Sequence, residues 1–420
     1  MVNYCRVLWF YGINRVDQYI NFQCSSLSGD DSRMDLKQKL FVIKVNRQSV
    51  FVIAYIVFLI NYILNGYEFG TPVETVLFST AVISICSLLQ KRIMSKGFYI
   101  QGALLIISAI LSVSVSNVVS ISGSRIWNYV FCVMVYVLIS TTYIEPGSFR
   151  TILQWYLLAS SALSIYVIIG YIFGFGIDNV GRASISYGEF FKDQNYLAAY
   201  YMPAFSYKMY QVVIEKKRNT IDIILLFSFV LSVLLMGSRG AFLTELLIMF
   251  LIVLNMLLFD RNIVRKVGLI LLLIVGTIII YLVFSRSPLF QRMTGFESYG
   301  SDVRLRLWMA GLSGFRNNIW LGSGIGSASM YSWSLIGNAV HNCFIEIVSD
   351  HGIIGALLII WSFFRMFTVP KGKRLLLISF FIGLFGPLFF LTGYSNMTFW
   401  MPMFFLQNFI SYQGQMVKDE

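Results

Sequence analysis

Residues 341–355, HNCFIEIVSDHGIIG, lie where a long polar loop meets an apolar segment that continues to about residue 364. His341, one of only two histidines in the chain, opens this stretch. A titratable imidazole at the boundary between water and a membrane is placed to act on a substrate that lipid delivers. The alternative is structural, because a histidine at this position also caps a membrane helix or lies at the level of the lipid headgroups.

The composition around this stretch predicts a polytopic membrane protein. Of 420 residues, 57% are hydrophobic and 12% are charged, and a soluble fold cannot bury that much apolar surface. A span needs roughly 20 apolar residues, and about twelve segments qualify. Their continuous apolar text predicts α-helices and excludes the alternating strands of a barrel. The segments lie near residues 49–64, 73–89, 98–117, 126–144, 152–174, 196–213, 221–236, 240–258, 267–284, 342–364, 375–392 and 397–411.

The distribution of basic residues predicts the orientation of these helices. An even number of spans places both termini on one side, and that side carries 23 of the 32 Lys and Arg residues. Both termini are therefore expected to be cytoplasmic. We expect a cytoplasmic arm at 1–47, nine helices within 48–284, a large helical loop on the outer side at 285–341, three helices within 342–411 and a cytoplasmic tail at 412–420.

The arm has no run long enough for a cleavable signal peptide, so the first span acts as its own insertion signal. Met34 opens a basic flank for that span, and we expect a chain beginning at Met34 to keep its activity. The formal net charge of +12 is mostly a topology signal, and no nucleic-acid partner is expected.

The nine outward basic residues are eight arginines and Lys192. A planar guanidinium with fixed donors suits phosphate, so the bias indicates a phosphorylated ligand on the outer face, with chance scatter as the alternative. The arginines are Arg125, Arg182, Arg239, Arg286, Arg292, Arg304, Arg306 and Arg316.

The five cysteines have no CxxC spacing, and two histidines do not complete a zinc site with them, so neither a disulfide framework nor a metal site is expected.

The outer loop contains a predicted amphipathic helix at 302–316, capped by Ser301 or Asp302. An apolar stripe would lay this helix on the membrane or on the helix bundle; its members are Leu305, Trp308, Met309, Leu312 and Phe315. An advance of about 100° per residue places Arg304 at the edge of the stripe and Arg306 on the opposite, water-facing side.

Two glycine-containing turns are candidate anion sites. At residues 237–240, GSRG, an arginine and the amides of a helix start lie together and favour a negative group. An ordinary turn with a snorkelling arginine explains the same text. No strand precedes GSGIGS at 322–327, so a tight turn is expected there and not a dinucleotide site.

Three separated segments together resemble the O-antigen polymerase and O-antigen ligase superfamily. They are SRGAFLTELL (238–247), RLRLWMAGL followed by WLGSGIG (304–326), and HNCFIEIVSDHGIIG (341–355). KDQNYLAAY (192–200) is similar to the smaller outer-loop element of the family. The chain departs from the family pattern at Ser238, where some members have threonine, and at His351, which displaces an acidic residue.

The resemblance implies a bacterial inner-membrane glycosyltransferase that acts at the periplasmic face without a metal or other cofactor. It would transfer glycan from an undecaprenyl diphosphate carrier to a sugar hydroxyl, with inversion as a hypothesis. The implied partners are the carrier-linked donor, a glycan acceptor, the lipid bilayer and a chain-length regulator protein. The implied residues are His341 for catalysis and Arg239 and Arg304 for the diphosphate. Supporting residues are Glu346, Asn342 and Asn195.

The leading interpretation is a polymerase of lipid-linked repeat units, because the RLRLWMAGL and WLGSGIG text is closer to polymerases. A ligase that uses lipid A core as acceptor is the first alternative, and a flippase or secondary transporter is the second.

Three acids, Glu245, Glu346 and Asp350, lie within apolar runs. We expect them to be structurally paired, with orientation of the active site as the alternative for Glu346.

Overall fold

The computed structural model is predominantly helical over the residues it describes. These are residues 5–10, 19–24, 41–44, 46–64, 73–93, 96–116, 119–179, 181–187, 190–217, 219–284, 299–369 and 371–419. Within them, four helices are long and apolar enough to cross a membrane, namely Lys96–Ser114, Pro146–Phe173, Arg239–Phe259 and Cys343–Thr368. Five shorter apolar helices accompany them, and this set is consistent with a multi-pass membrane protein.

A helix occupies each of the twelve predicted segments. In chain order the α-helices are α1 (Arg47–Asn61), α2 (Val73–Leu88), α3 (Lys96–Ser114), α4 (Val119–Ser140), α5 (Pro146–Phe173), α6 (Gln194–Val213), α7 (Thr220–Met236), α8 (Arg239–Phe259), α9 (Ile263–Phe284), α10 (Tyr299–Gly311), α11 (Ser313–Asn317), α12 (Ser327–Ile336), α13 (Cys343–Phe363), α14 (Arg374–Phe385) and α15 (Met397–Asp419).

Short strands are the exception to the expected all-helical fold. Antiparallel strands β1 (Cys5–Phe10), β2 (Tyr19–Cys24) and β3 (Phe41–Lys44) form a small sheet in the N-terminal arm. Strands β4 (Ser186–Tyr187) and β5 (Phe190–Phe191) form a hairpin just before α6. The rest of the arm lies outside the described residues, as do Arg286 and Arg292 of the outer loop.

The exterior of the helices is apolar, as lipid exposure requires. On α8, Leu243 and Phe250 are more than half exposed, whereas Ile248 and Ile252 are fully buried. Both faces are apolar, so burial and not polarity distinguishes the side of the helix that packs against the protein.

The core is centred on α15 and is rich in aromatic residues. Trp400 is fully buried, and its ring lies 5.6 Å from Tyr129 and 5.4 Å from Tyr136 of α4. Phe409 stacks on Phe380 of α14 at 4.1 Å. Aromatic pairs of this kind add to the area that they bury, and they fix α15 between α4 and α14.

Two predicted segments differ from the observed helices where chain breakers occur. The segment predicted at 375–392 is helical only to Phe385, and a 3-10 turn, Pro387–Phe390, follows it. Proline cannot continue the hydrogen-bond ladder, which explains the end of the helix.

In the outer loop the predicted helix 302–316 is two helices, α10 and α11. Since α10 begins at Tyr299, the prediction of Ser301 or Asp302 as its cap is wrong.

Candidate functional site

Helix α13 is broken at Gly352, and the outer loop fills the break. Gly352 has φ 65° and ψ −164°, a conformation that only glycine adopts readily. An unbroken helix would join Ile353 to Ser349 and Ile354 to Asp350 through the backbone. Four bonds to the loop replace these two. The amides of Ile353 and Ile354 donate to the carbonyls of Ile319 (2.9 Å) and Trp320 (3.2 Å). The amides of Ser323 and Gly324 donate to the carbonyls of Ser349 (2.9 Å) and Asp350 (3.2 Å).

The break lies at the end of the helix bundle that carries residues 299–342, which we call the loop end. The hydroxyl of Ser112 donates to the carbonyl of Asp350, and α3 ends two residues later, at Ser114. Residues 343–351 therefore extend past the end of α3 and pack with α10–α12. This position places Glu346 and Asp350 at the loop end and not at the middle of a span.

Asp350 is structurally paired, as expected. Its carboxylate accepts hydrogen bonds from the amides of Gly326 and Ala328 and from the hydroxyl of Ser327, which together form the start of α12. A carboxylate at a helix N-terminus satisfies amides that have no acceptor within the helix. The hydroxyl of Tyr394 adds a fourth bond, at 2.9 Å.

Glu346 is also paired, one helical turn before Asp350. Its carboxylate accepts from the hydroxyl of Ser329 at 3.0 Å and from the amides of Gly393 and Tyr394 at 2.9 and 3.3 Å. The hydroxyl of Thr392 donates to the same carboxylate. Glu346 therefore joins the outer loop to the chain between α14 and α15. The third acid differs: Glu245 is buried without a hydrogen-bond partner among the described residues, so the expected pairing is wrong for it.

Residues 387–394, in the chain between α14 and α15, contact three helices of the candidate site, α8, α10 and α13. The ring of Phe389 lies 4.3 Å from Phe344, at the start of α13. The guanidinium carbon of Arg304 lies 5.6 Å from the centroid of the Phe390 ring. The same ring packs on Gly240 so closely that a Cβ at position 240 would be 2.5 Å from it. The Phe390 ring therefore contacts both Arg304 and the start of α8.

Arg239 opens α8 at a sharp turn that the first turn of α6 supports. Gly237 ends α7 with φ 60°, and Ser238 is the N-cap of α8. The Ser238 hydroxyl does not bond to the helix; it donates to the side-chain oxygen of Asn195 at 2.9 Å. Because the first amides of a helix have no acceptor within it, this turn supplies free backbone donors at the helix start that carries Arg239.

His341 lies in a left-handed backbone conformation, with φ 49°. Only two non-glycine residues in the described chain have a positive φ, and such outliers concentrate at functional sites. The imidazole Nε2 is 3.2 Å from the side-chain oxygen of Asn338. Burial lowers the pKa of His341, the nearby charge of Arg304 lowers it further, and Asp193 acts in the opposite direction. The ring is therefore neutral at pH 7.

Arg304 and Arg306 have different surroundings, in agreement with the helical spacing. Arg304 is half-buried against Phe390, whereas Arg306 is exposed. The predicted apolar stripe is divided between two environments. Leu305 and Met309 are 55% and 48% exposed, whereas Trp308, Leu312 and Phe315 are partly buried. Leu307, which is not a member of the stripe, is fully buried.

Several predicted residues have structural roles. Asn342 is the N-cap of α13, and its side chain accepts from the amides of Phe344 and Ile345. Arg182 forms an ion pair with Asp178 at 2.6 Å. Among the described residues there is no cluster of three side chains that would hold a metal ion.

Phe390 and Asp193 were not predicted as site residues, and Gly240 was predicted only as part of the GSRG turn. Residues 387–394 are an apolar stretch, PLFFLTGY, which hydropathy does not distinguish from a span. Pro387 and Gly393 were the available signals for a break. Asp193 was visible only as a helix cap, a role that it does fill by accepting from the amides of Asn195 and Tyr196.

Comparison with known proteins gives one family. Residues 223–360 match the family model described as O-antigen ligase, which confirms the resemblance to the O-antigen polymerase and ligase superfamily. The matched part runs from α7 to α13 and contains Arg239, Arg304 and His341. No curated protein matches the chain. The match supports a function of O-antigen ligase or polymerase type and a membrane glycosyltransferase-like enzyme.

Proposed function

With an O-antigen ligase family domain at residues 223–360 as the premise, we propose that this protein polymerises lipid-linked surface polysaccharide repeat units. It transfers glycan from undecaprenyl diphosphate to a sugar hydroxyl of the next unit. The reaction takes place at the periplasmic face of the inner membrane, with both chain termini in the cytoplasm.

The observation that carries the proposal is the set of contacts around Phe390. The ring contacts Arg304 on α10 and Gly240, the residue after Arg239, on α8. The charge of Arg304 in turn lowers the pKa of His341. These contacts between segments that are far apart in the sequence support the proposal that Arg239, Arg304 and His341 act on one substrate at the loop end.

In the proposed reaction the bond between the anomeric carbon and the carrier diphosphate breaks, and the diphosphate gains negative charge. Arg239, Arg304 and the amides at the start of α8 stabilise that charge. The acceptor hydroxyl attacks the anomeric carbon, and its proton passes to the imidazole of His341. The products are the elongated glycan and undecaprenyl diphosphate, and attack from the side opposite the leaving group inverts the anomeric centre.

The protonation state of His341 fits this role. A general base has to be unprotonated at the working pH, and burial and Arg304 both favour the neutral imidazole. His341 lies at the end of the loop, directly before the Asn342 cap of α13.

The test uses the full-length protein in detergent with undecaprenyl-diphosphate-linked repeat units, followed by electrophoresis of the products. We expect a ladder of elongated glycan from the wild type. We expect the His341→Ala variant to lose about 100- to 10,000-fold in rate, the contribution typical of a general base. Arg304→Ala abolishes elongation, and its matched control Arg306→Ala does not, because Arg306 is exposed. Equal losses from the two arginine variants would contradict the proposal, and a transporter would make no product at all.

Ligation is the second candidate function, because the matching family model is described as O-antigen ligase. Donor chemistry is the same in both reactions and only the acceptor differs. The lipopolysaccharide of a deletion strain separates the two. Single repeat units on lipid A indicate a polymerase, whereas full-length glycan that stays on the lipid carrier indicates a ligase.

A further inference from the structure

The three predicted site residues lie on separate elements, so the distances between them depend on contacts between those elements. Arg239 lies on α8 and Arg304 on α10, with α9 and the start of the outer loop between them in the chain. A diphosphate has two charged groups a fixed distance apart. Binding it with two cationic elements depends on the spacing between them, and a residue that contacts both elements influences that spacing.

We propose that Phe390 is the positioning residue that sets this distance, an inference that rests on the proposed function. Its ring contacts the Arg304 guanidinium, with 5.6 Å between the guanidinium carbon and the ring centroid. Such cation–π contacts are attractive and depend on orientation. The ring also rests on the first turn of α8 at Gly240, where the absence of a Cβ allows the close approach.

The residues on both sides of Phe390 hold the ring in place. Phe389 packs on Phe344 at 4.3 Å, and the amide of Gly393 donates to Glu346 at 2.9 Å. The hydroxyl of Tyr196 donates to the carbonyl of Thr392 at 2.8 Å. Phe390 is therefore tied to α6 and α13, and its position defines where the Arg304 guanidinium lies relative to α8.

Phe390 does not touch the reacting atoms in this proposal; it acts through Arg304. Removal of the ring should widen the range of positions open to Arg304. A carrier with two phosphates needs both cationic elements at once, whereas a carrier with one phosphate does not. The loss should therefore be larger for the diphosphate than for the monophosphate.

The experiment measures binding of undecaprenyl diphosphate and undecaprenyl monophosphate to the full-length protein in detergent. We expect Phe390→Leu to weaken diphosphate binding by about 2- to 30-fold, the range that corresponds to one cation–π contact. Monophosphate binding should change less, and Phe390→Tyr, which keeps the ring, should restore diphosphate affinity. Phe381→Leu is the matched control, because Phe381 lies on α14 and packs on Phe385 and Phe363. This control should bind both carriers like the wild type.

Two further variants keep the test decisive if Phe390→Leu folds poorly. Gly240→Ala pushes the ring from the other side, since its Cβ would be 2.5 Å from a ring carbon, and should also weaken diphosphate binding. In an Arg304→Ala background, Phe390→Leu should have no additional effect if it acts through Arg304.

The outcomes separate this inference from the proposed function. If Arg239→Ala and Arg304→Ala bind diphosphate like the wild type, the proposed function is wrong. If those variants lose binding but Phe390→Leu does not, only the positioning role is wrong. Equal loss for both carriers, or an undiminished effect of Phe390→Leu in the Arg304→Ala background, would also overturn the positioning role.

Discussion

Replacement of Glu346 by glutamine and by alanine tests whether its carboxylate positions residues 387–394 or takes part in the chemistry. One carboxylate oxygen accepts from the hydroxyls of Ser329 and Thr392, and the other accepts from the amides of Gly393 and Tyr394. A glutamine satisfies all four partners if its carbonyl faces the two amides and its NH2 group faces the hydroxyls. Hydroxyls both donate and accept, so Ser329 and Thr392 can reverse their roles.

The magnitude follows from the same partners. Hydrogen bonds to a charged group contribute about 1 kcal/mol more than neutral ones, so two amide bonds give a loss of about 2 kcal/mol for Glu346→Gln. The alanine variant leaves the amides of Gly393 and Tyr394 without an acceptor, at about 1–3 kcal/mol each. Its fall in stability should therefore be roughly twice that of the glutamine variant.

Thermal unfolding in detergent, followed by loss of the monodisperse protein, measures the stability of both variants. We expect Glu346→Gln to retain glycan transfer close to the wild-type rate. Glu346→Ala frees residues 392–394, which lie next to Phe390, and a displacement of about 1 Å near an active site can reduce the rate about 100-fold. Glu145→Ala is the control, because Glu145 is exposed and makes no side-chain cap bond to α5.

Two results would refute this reasoning. If Glu346→Gln folds normally but loses transfer as fully as His341→Ala, the carboxylate takes part in the reaction and its hydrogen bonds are not its main role. If Glu346→Ala unfolds at the wild-type temperature and keeps its activity, the carboxylate does not hold residues 387–394.

Two further predictions concern His341 and the break in α13. Asp193 raises the pKa of His341, so Asp193→Asn should move the acid limb of the kcat/KM profile to lower pH; an unchanged or higher limb would contradict this. Asparagine keeps the oxygen that caps α6, which separates the charge effect from a folding effect. Gly352→Ala should destabilise the protein by about 3 kcal/mol or more through backbone strain and crowding. Its Cβ would be 2.4 Å from the carbonyl oxygen of Trp320. Gly276→Ala, with nothing within 4 Å of its Cβ, should leave the unfolding temperature unchanged or higher, and equal shifts from both variants would show that the break is not strained.

The helices were predictable because the main signal, a long apolar run, is local. The segments predicted at 73–89, 221–236 and 240–258 agree with α2, α7 and α8 to within one residue at each end. At the start of α7, Asn219 supplies a cap that the sequence shows directly. The break at Gly352 was not predictable, since its hydrogen bonds go to residues 319–324, and a single glycine in a helix is compatible with an unbroken helix.

The candidate site was predictable to the extent that helical geometry or family resemblance applies. The spacing of about 100° per residue distinguished Arg304 from Arg306, and their exposure agrees with it. Phe390 had no such signal. Its importance comes from contacts with α8 and α10, and an apolar residue in an apolar stretch is indistinguishable from core until those contacts are known.

The two acids of α13 explain how charged groups are accommodated beside a membrane and why they lie four residues apart. Residues at i and i+4 share one helix face, so Glu346 and Asp350 present their carboxylates to the same side. Asp350 accepts from the start of α12, and Glu346 accepts from residues 392–394. Tyr394 joins the two acids, because its amide donates to Glu346 and its hydroxyl donates to Asp350. Burial of each charge costs free energy that amide and hydroxyl donors offset. One face of α13 therefore joins the outer-loop helix α12, through Asp350, to residues 392–394, through Glu346. The outer loop also carries Arg304, and residues 392–394 follow Phe390 closely in the chain.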